Sequence, residues 1–414
     1  MPRRKGRARL LIYSHDCYGL GHLRRCMAIA HSLVDHRGDL SVLIISGSPV
    51  AGSFEFHDRV DFTRIPGVIK ERKGGRLRSL KLDMTTEEIL KVRSKLIYQT
   101  AEIFEPDIFL VDHQPLGLRN EAEDALRMLK AKGTRLVLGY RDIPNVDGTA
   151  ETWEFRNEEI PVKELYDNVW VFGLPDIYNP IAEKGMSVDV SQKTRFTGYL
   201  RRSLSPSEIS LSRTNPVPMI SNDPYLLAIT GGGGDGEGLV DWVLRAYEYD
   251  SGIPYSTYIL MGPFMNTNLQ EEFIERIQRI NANQEKIHAI SFHPNVESLY
   301  MGAAGVVAMG GYNIFCEILS FDKPSVIIPR TVPGKEQYTR AKRADDLGLA
   351  RMLLDDGTRD PKLMATHLRG LAAQPKPSDV RLPGLLDGLS NINAMVDTWL
   401  STPGSPKAKL AVVK

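Results

Sequence analysis

Short apolar runs rich in β-branched residues recur along this chain, each followed by a longer stretch with helical spacing. In the first half they read ARLLIYS, LSVLIIS, VDFTRI, DIFLVD, TRLVLGY, NVWVFG and TRFTGY; in the second, YLLAIT, STYILMG, KIHAISF, GVVAMG and SVIIPR. Several are apolar at nearly every position, as strands covered on both faces are, so the pattern predicts parallel sheets built from βα units. Between Arg202 and Pro224 the alternation lapses into RSLSPSEISLSRTNPVPMISNDP, which reads as a linker. A chain of 414 residues is long for one core. The expectation is α/β with two doubly wound, Rossmann-like domains facing across a cleft: residues 1–202, a linker at 203–224, residues 225–400, and a tail at 401–414. In such sheets ligands bind beyond the carboxyl ends of the strands.

Composition narrows the surroundings. The net charge is +1 and no nucleic-acid partner is expected. The three cysteines, Cys17, Cys26 and Cys316, lack metal-ligand spacing and favour a reducing compartment. The opening MPRRKGRARLLIY is basic then apolar, but Ser14, His15 and Asp16 interrupt it too early for a signal peptide. No segment approaches the roughly 20 apolar residues of a membrane span. These features suggest a soluble, cytoplasmic chain, at most peripheral at the inner face of a membrane. The basic segment Ile69 to Lys81 reads first as a solvated loop and second as an attractor for anionic lipid or a phosphate-bearing acceptor.

Three glycine-rich turns follow strands. GLGHLR, after the first, has Arg24 where a dinucleotide fingerprint needs its third glycine, and the next strand ends without a ribose-binding carboxylate. TGGGGDGEG, Thr230 to Gly238, lies between a buried strand and an amphipathic helix, so a ligand could approach the backbone near Gly232 and Gly233. In AMGGYNIFCEILSFDKPSVIIP, Gly310 and Gly311 end a strand and Asn313 is suited to cap the next helix, whose free N–H groups would hold a pyrophosphate. Glu317, four residues on, can face the same ligand and accept two ribose hydroxyls. Gln337 lies in a later loop over the same site.

With these residues in hand the chain resembles the GT-B glycosyltransferases of family 28, including the peptidoglycan N-acetylglucosaminyltransferase. The matching text is GGYNIFCEILSFDKPSVIIPRTVPGKEQ, while HDCYGLGHLRRCMAIAHSL fits a group of predicted bacterial glycosyltransferases. The resemblance implies a UDP-sugar donor in the second domain, with Gly310, Gly311 and Asn313 at the diphosphate, Glu317 at the ribose and Gln337 at the sugar. It further implies backbone near Phe292 at the uracil and, from TGYLRR, Arg202 first and Arg201 second at the diphosphate. It is similar also to the sugar-nucleotide hydrolase of pseudaminic acid biosynthesis. A non-catalytic nucleotide-sugar binder and an epimerase of the same fold are further readings.

An inverting transfer needs a base at the attacking hydroxyl and positive groups on the departing diphosphate. No Asp-x-Asp motif stands at a strand end, so no metal and no cofactor beyond the donor are expected. His22, in a glycine-bounded turn after the first strand, is the candidate base. Asp112, at the end of DIFLVD, is its first candidate partner and Asp142 its second. His15 and Asp16 are rivals for the base. Gly21, His113, Arg141 and Asp142 are placed on the side of a carbohydrate or lipid-linked acceptor.

Overall fold

The computed structural model describes residues 7–15, 21–70, 77–144, 159–183, 185–204, 223–282, 284–293, 295–332 and 334–401. Asp16, Gly19, most of the linker, residues 71–76 of the basic segment and the tail beyond 401 lie outside them. The chain divides into two compact units.

The first unit holds strands β1 (Ala8–Ser14), β2 (Leu40–Ser46), β3 (Val60–Arg64), β4 (Val68–Lys70), β5 (Leu77–Ser79), β6 (Ile108–Asp112), β7 (Arg135–Arg141), β8 (Asn168–Phe172) and β9 (Thr194–Phe196). Seven of these form one parallel sheet in the order β3-β2-β1-β6-β7-β8-β9. The hairpin β4–β5 is antiparallel and separate; its strands of three residues are too short to show an apolar pattern. The expected continuous burial holds in β6, where all five residues are buried. Leu11, Phe109, Val111, Leu136, Leu138, Val169 and Val171 supply the sheet's part of the core.

The second unit holds β10 (Tyr225–Ile229), β11 (Ser256–Leu260), β12 (Ile287–Ile290), β13 (Ala303–Ala308), β14 (Ser325–Ile327) and β15 (Arg351–Met352), parallel in the order β12-β11-β10-β13-β14-β15. Both sheets start in the middle, run outward to one edge, then return and run to the other. The strand order therefore reverses between β1 and β6 in one and between β10 and β13 in the other. Loops leaving such adjacent strands diverge and open a crevice at their carboxyl ends.

One boundary differs from the sequence reading. Helix Gly388–Ser401, expected within a second domain ending at 400, belongs to the first unit. Gly388 N donates to Tyr199 O at 3.2 Å, Asn391 Nδ2 to Thr197 O at 2.8 Å, and the Trp399 ring stacks on Trp170 with centroids 5.7 Å apart. The helix also lies along Gly21–His36, where Arg37 Nη1 and His36 Nε2 reach the Asp397 carboxylate at 2.8 and 2.6 Å. Helical spacing shows which face of a segment is apolar, not which sheet that face will cover.

Candidate functional site

In the first unit the reversal point brings together residues distant in sequence. Tyr13 of β1 pairs with Val111 of β6, so the segments that follow these strands leave side by side. The β1 side contributes His15 and, at the start of helix Gly21–His36, His22; the β6 side contributes Asp112, its last residue, and His113 just beyond it. His22 Nδ1 lies 2.5 Å from Asp112 Oδ2. The carboxylate accepts Nδ1–H, which leaves Nε2 as the ring's proton-accepting nitrogen. Asp112 is buried, whereas the His22 side chain keeps 23% of its surface exposed, enough to meet a substrate.

Arg25, one helical turn after His22, is 1% exposed and shares the same carboxylate. Its Nε and Nη2 donate to Asp112 Oδ1 at 2.9 and 2.7 Å, and Nη2 also reaches Oδ2 at 2.8 Å. Burial by itself would push the Asp112 carboxyl up, but Arg25 and His22 outweigh it and hold the group well below the usual carboxylate range. Sequence reading passed over Arg25. The available signal was a charged residue on the apolar stripe of Leu23, Cys26, Ile29, Ala30 and Leu33.

Two more imidazoles complete a cluster. The His15, His22 and His113 ring centroids are 5.3 to 5.6 Å apart. Burial, helped by the neighbouring His22, lowers the His15 ring to about 3. Desolvation and then the Arg141 charge hold His113 well below its ordinary value. Both rings are neutral near pH 7. His113 also has a φ of 80°, a left-handed conformation costly for a residue with a side chain, and its N–H donates to Gly139 O at 2.8 Å. Asp142, the second candidate partner, is held elsewhere: buried, it accepts from Tyr199 Oη at 2.8 Å. Arg141 ends β7 beside this cluster, and Gly21 opens the helix that carries His22.

The second unit repeats the pattern at its own reversal point, between β10 and β13. Beyond β13, Gly310 and Gly311 lead into helix Tyr312–Ser320, where Glu317 is fully buried. Gly311, not Asn313, is the residue that caps this helix; Asn313 lies within its first turn, and its Oδ1 accepts from Arg202 Nη2 at 2.9 Å. Arg202 is 7% exposed, and its Nε and Nη1 have no hydrogen-bond partner among the described residues. A helix N-terminus beside a buried guanidinium with spare donors suits an anion.

Gln337 serves the turn itself. Its Oε1 accepts from Gly310 N at 3.1 Å and Arg330 N at 3.3 Å, which commits that oxygen to backbone. In the turn after β10, Gly233 has a φ of 87°, and a Cβ there would stand 2.2 Å from Met261 O. Its glycine is thus required by the neighbouring backbone. Gly232 meets only the Phe264 ring, at 3.4 Å, and leaves room for a ligand. Phe292 lies partly buried two residues beyond β12.

Among the described residues no group of three or more His, Cys, Asp or Glu is arranged to hold a metal ion. Nor is any described helix long and apolar enough to cross a membrane.

Residues 227–379 match the glycosyltransferase family 28 C-terminal domain. No curated protein matches the chain by sequence. Among solved structures, UDP-GlcNAc 2-epimerase from Neisseria meningitidis, bound to UDP-GlcNAc, superposes with a TM-score of 0.58 at 14% identity, covering 96% of this chain and 100% of that one. MurG from Acinetobacter baumannii gives 0.57 at 11% identity over 96% and 100%. A calicheamicin glycosyltransferase gives 0.56 at 16% identity over 97% and 100%. The fold is thus shared along nearly the whole length of all three.

Proposed function

We propose that this chain is a GT-B glycosyltransferase of the family 28 type that moves a sugar from a UDP-sugar to a hydroxyl, with inversion and without a metal. The observation that carries this reading is the His22–Asp112 pair at the reversal point of the first sheet. A donor resembling UDP-N-acetylglucosamine is suggested by the ligand of the Neisseria meningitidis structure. The acceptor is a carbohydrate or a lipid-linked sugar.

In this mechanism Nε2 of His22 takes the proton of the acceptor hydroxyl while Asp112 stabilises the imidazolium. The acceptor oxygen attacks the anomeric carbon opposite the departing UDP, and the bond to the β-phosphate oxygen breaks with its electron pair. The imidazolium then returns its proton to solvent. Arg202 and the N–H groups that start helix Tyr312–Ser320 meet the charge on the diphosphate, with Gly310, Gly311 and Asn313 around it. Glu317 accepts the ribose hydroxyls, Gln337 offers its amide N–H to the sugar, and Gly232 and the backbone near Phe292 approach the nucleotide. Gly21, His113 and Arg141 line the acceptor side.

Incubation of the protein with a panel of UDP-sugars, with and without glycan or lipid-linked acceptors, tests the reading. Transfer predicts UDP release that depends on acceptor and a glycosylated product with inverted configuration. Release at full rate with water alone would make it a hydrolase, and a new epimer without transfer would make it an epimerase. Binding of no uridine nucleotide at all would overturn the donor assignment.

A further inference from the structure

We propose that Arg25 is a positioning residue of the base: it fixes the plane of the Asp112 carboxylate and balances its charge, so that Asp112 orients His22 without holding it protonated. The inference rests on the reading of His22 as the base, and adds to the His–Asp pair a third member.

Geometry carries the argument. Arg25 places three N–H contacts of 2.7 to 2.9 Å on both oxygens of Asp112, so the carboxylate cannot rotate about its Cβ–Cγ bond without breaking them. Oδ2 is thereby kept facing His22 Nδ1 at 2.5 Å. Nη2 of Arg25 also stands 3.0 Å from that same Nδ1. An isolated buried carboxylate this close would strongly favour the imidazolium, which cannot accept a proton. Arg25 and Asp112 sum to zero charge, and the guanidinium so near the ring opposes a second positive charge there.

His15 and His113, both neutral, flank the His22 ring from the ends of β1 and β6, and the Arg141 charge at the end of β7 acts on those two rings. Behind His15, Arg93 is paired with Glu121, whose Oε1 accepts from Tyr13 Oη at 2.6 Å. Among the described residues Asp112 is the carboxylate in contact with the His22 ring, and Arg25 is the cation bonded to both of its oxygens.

The test is an NMR titration of the His22 Cε1–H in the intact protein, which needs no turnover and so separates this inference from the transfer reading. In Arg25→Met the midpoint should rise by about one pH unit or more, tenfold in proton affinity. Arg25→Lys, which keeps the charge and loses the fork, should titrate close to the parent. Because Arg25→Met leaves a buried carboxylate uncompensated and can fail to fold, a second comparison uses Asp112→Asn with and without Arg25→Met. The variant retaining Arg25 should titrate lower. Equal midpoints in that pair, or an unchanged midpoint in folded Arg25→Met, overturn the charge-balancing role. Where transfer is measured, Arg25→Lys should lower kcat by about tenfold with KM for the donor within about twofold, the mark of a misaligned base. A rise in donor KM that matches the fall in kcat would overturn the positioning role.

Discussion

At the scale of single residues the base makes the sharpest demand. His22→Ala should lower kcat by about 10² to 10⁴, the usual share of general base catalysis, while UDP affinity measured by calorimetry stays within about twofold. Loss of UDP binding would instead make His22 a donor-binding residue. Asp112→Ala should cost about 3 to 5 kcal/mol in denaturant unfolding, because it strands Arg25 as a buried charge. His22 was legible as a candidate because it stands in a glycine-bounded turn after the first strand and an imidazole is the side chain suited to taking a proton near pH 7. Its pairing with Asp112 was legible only as a preference over Asp142, since strand ends are ordered by the sheet and not by the chain. Arg25 was illegible because a buried arginine and a solvent-facing one look alike until the carboxylate opposite is known.

At the scale of elements the helix Tyr312–Ser320 and the turns around it carry the donor site. Glu317→Ala should weaken UDP binding by about 1 to 3 kcal/mol, and 2′-deoxy-UDP should lose less from the substitution than UDP does. Equal losses for both nucleotides would count against a ribose contact at that hydroxyl. Gly233→Ala should destabilise the second unit, since the added Cβ meets Met261 O and the φ of 87° disfavours any side chain; a lowered thermal midpoint with a normal midpoint for Gly232→Ala is the expected pair of results. The glycine-rich text pointed to both turns. It did not distinguish glycines that face a ligand from those pressed against backbone, because the same residue answers both needs. Asn313 shows the same limit: a good capping side chain became a ligand of Arg202 because the cap lies two residues earlier, at Gly311.

At the scale of the whole molecule two consequences follow. Truncation after Leu386 removes helix Gly388–Ser401 and should destabilise the first unit, exposing the Trp170 face and releasing Arg37 from Asp397. A first unit with an unchanged unfolding midpoint would show the helix to be dispensable. Three imidazoles partly or fully withdrawn from water also make stability depend on pH. Burial lowers His15 to about 3 and His31 to about 4, and holds His113 low, whereas in the unfolded chain all three titrate near 6.5. Between these limits the unfolded state binds protons that the folded state refuses. Stability is therefore fully present above about pH 6.5 and falls as pH is lowered toward 4 and 3. Denaturant midpoints across this range should show the decline, and His15→Gln should make it shallower. The sequence alone determined the class of fold, the alternation of strand and helix, and which residue types stood at strand ends, because periodicity and glycine placement are local properties of the chain. Only the tertiary structure decided which strand ends became neighbours, where the last helix docked, and that Arg25 joined the base. Those choices are made by burial between segments more than 80 residues apart, as with Arg25 and Asp112, whose separation is 87.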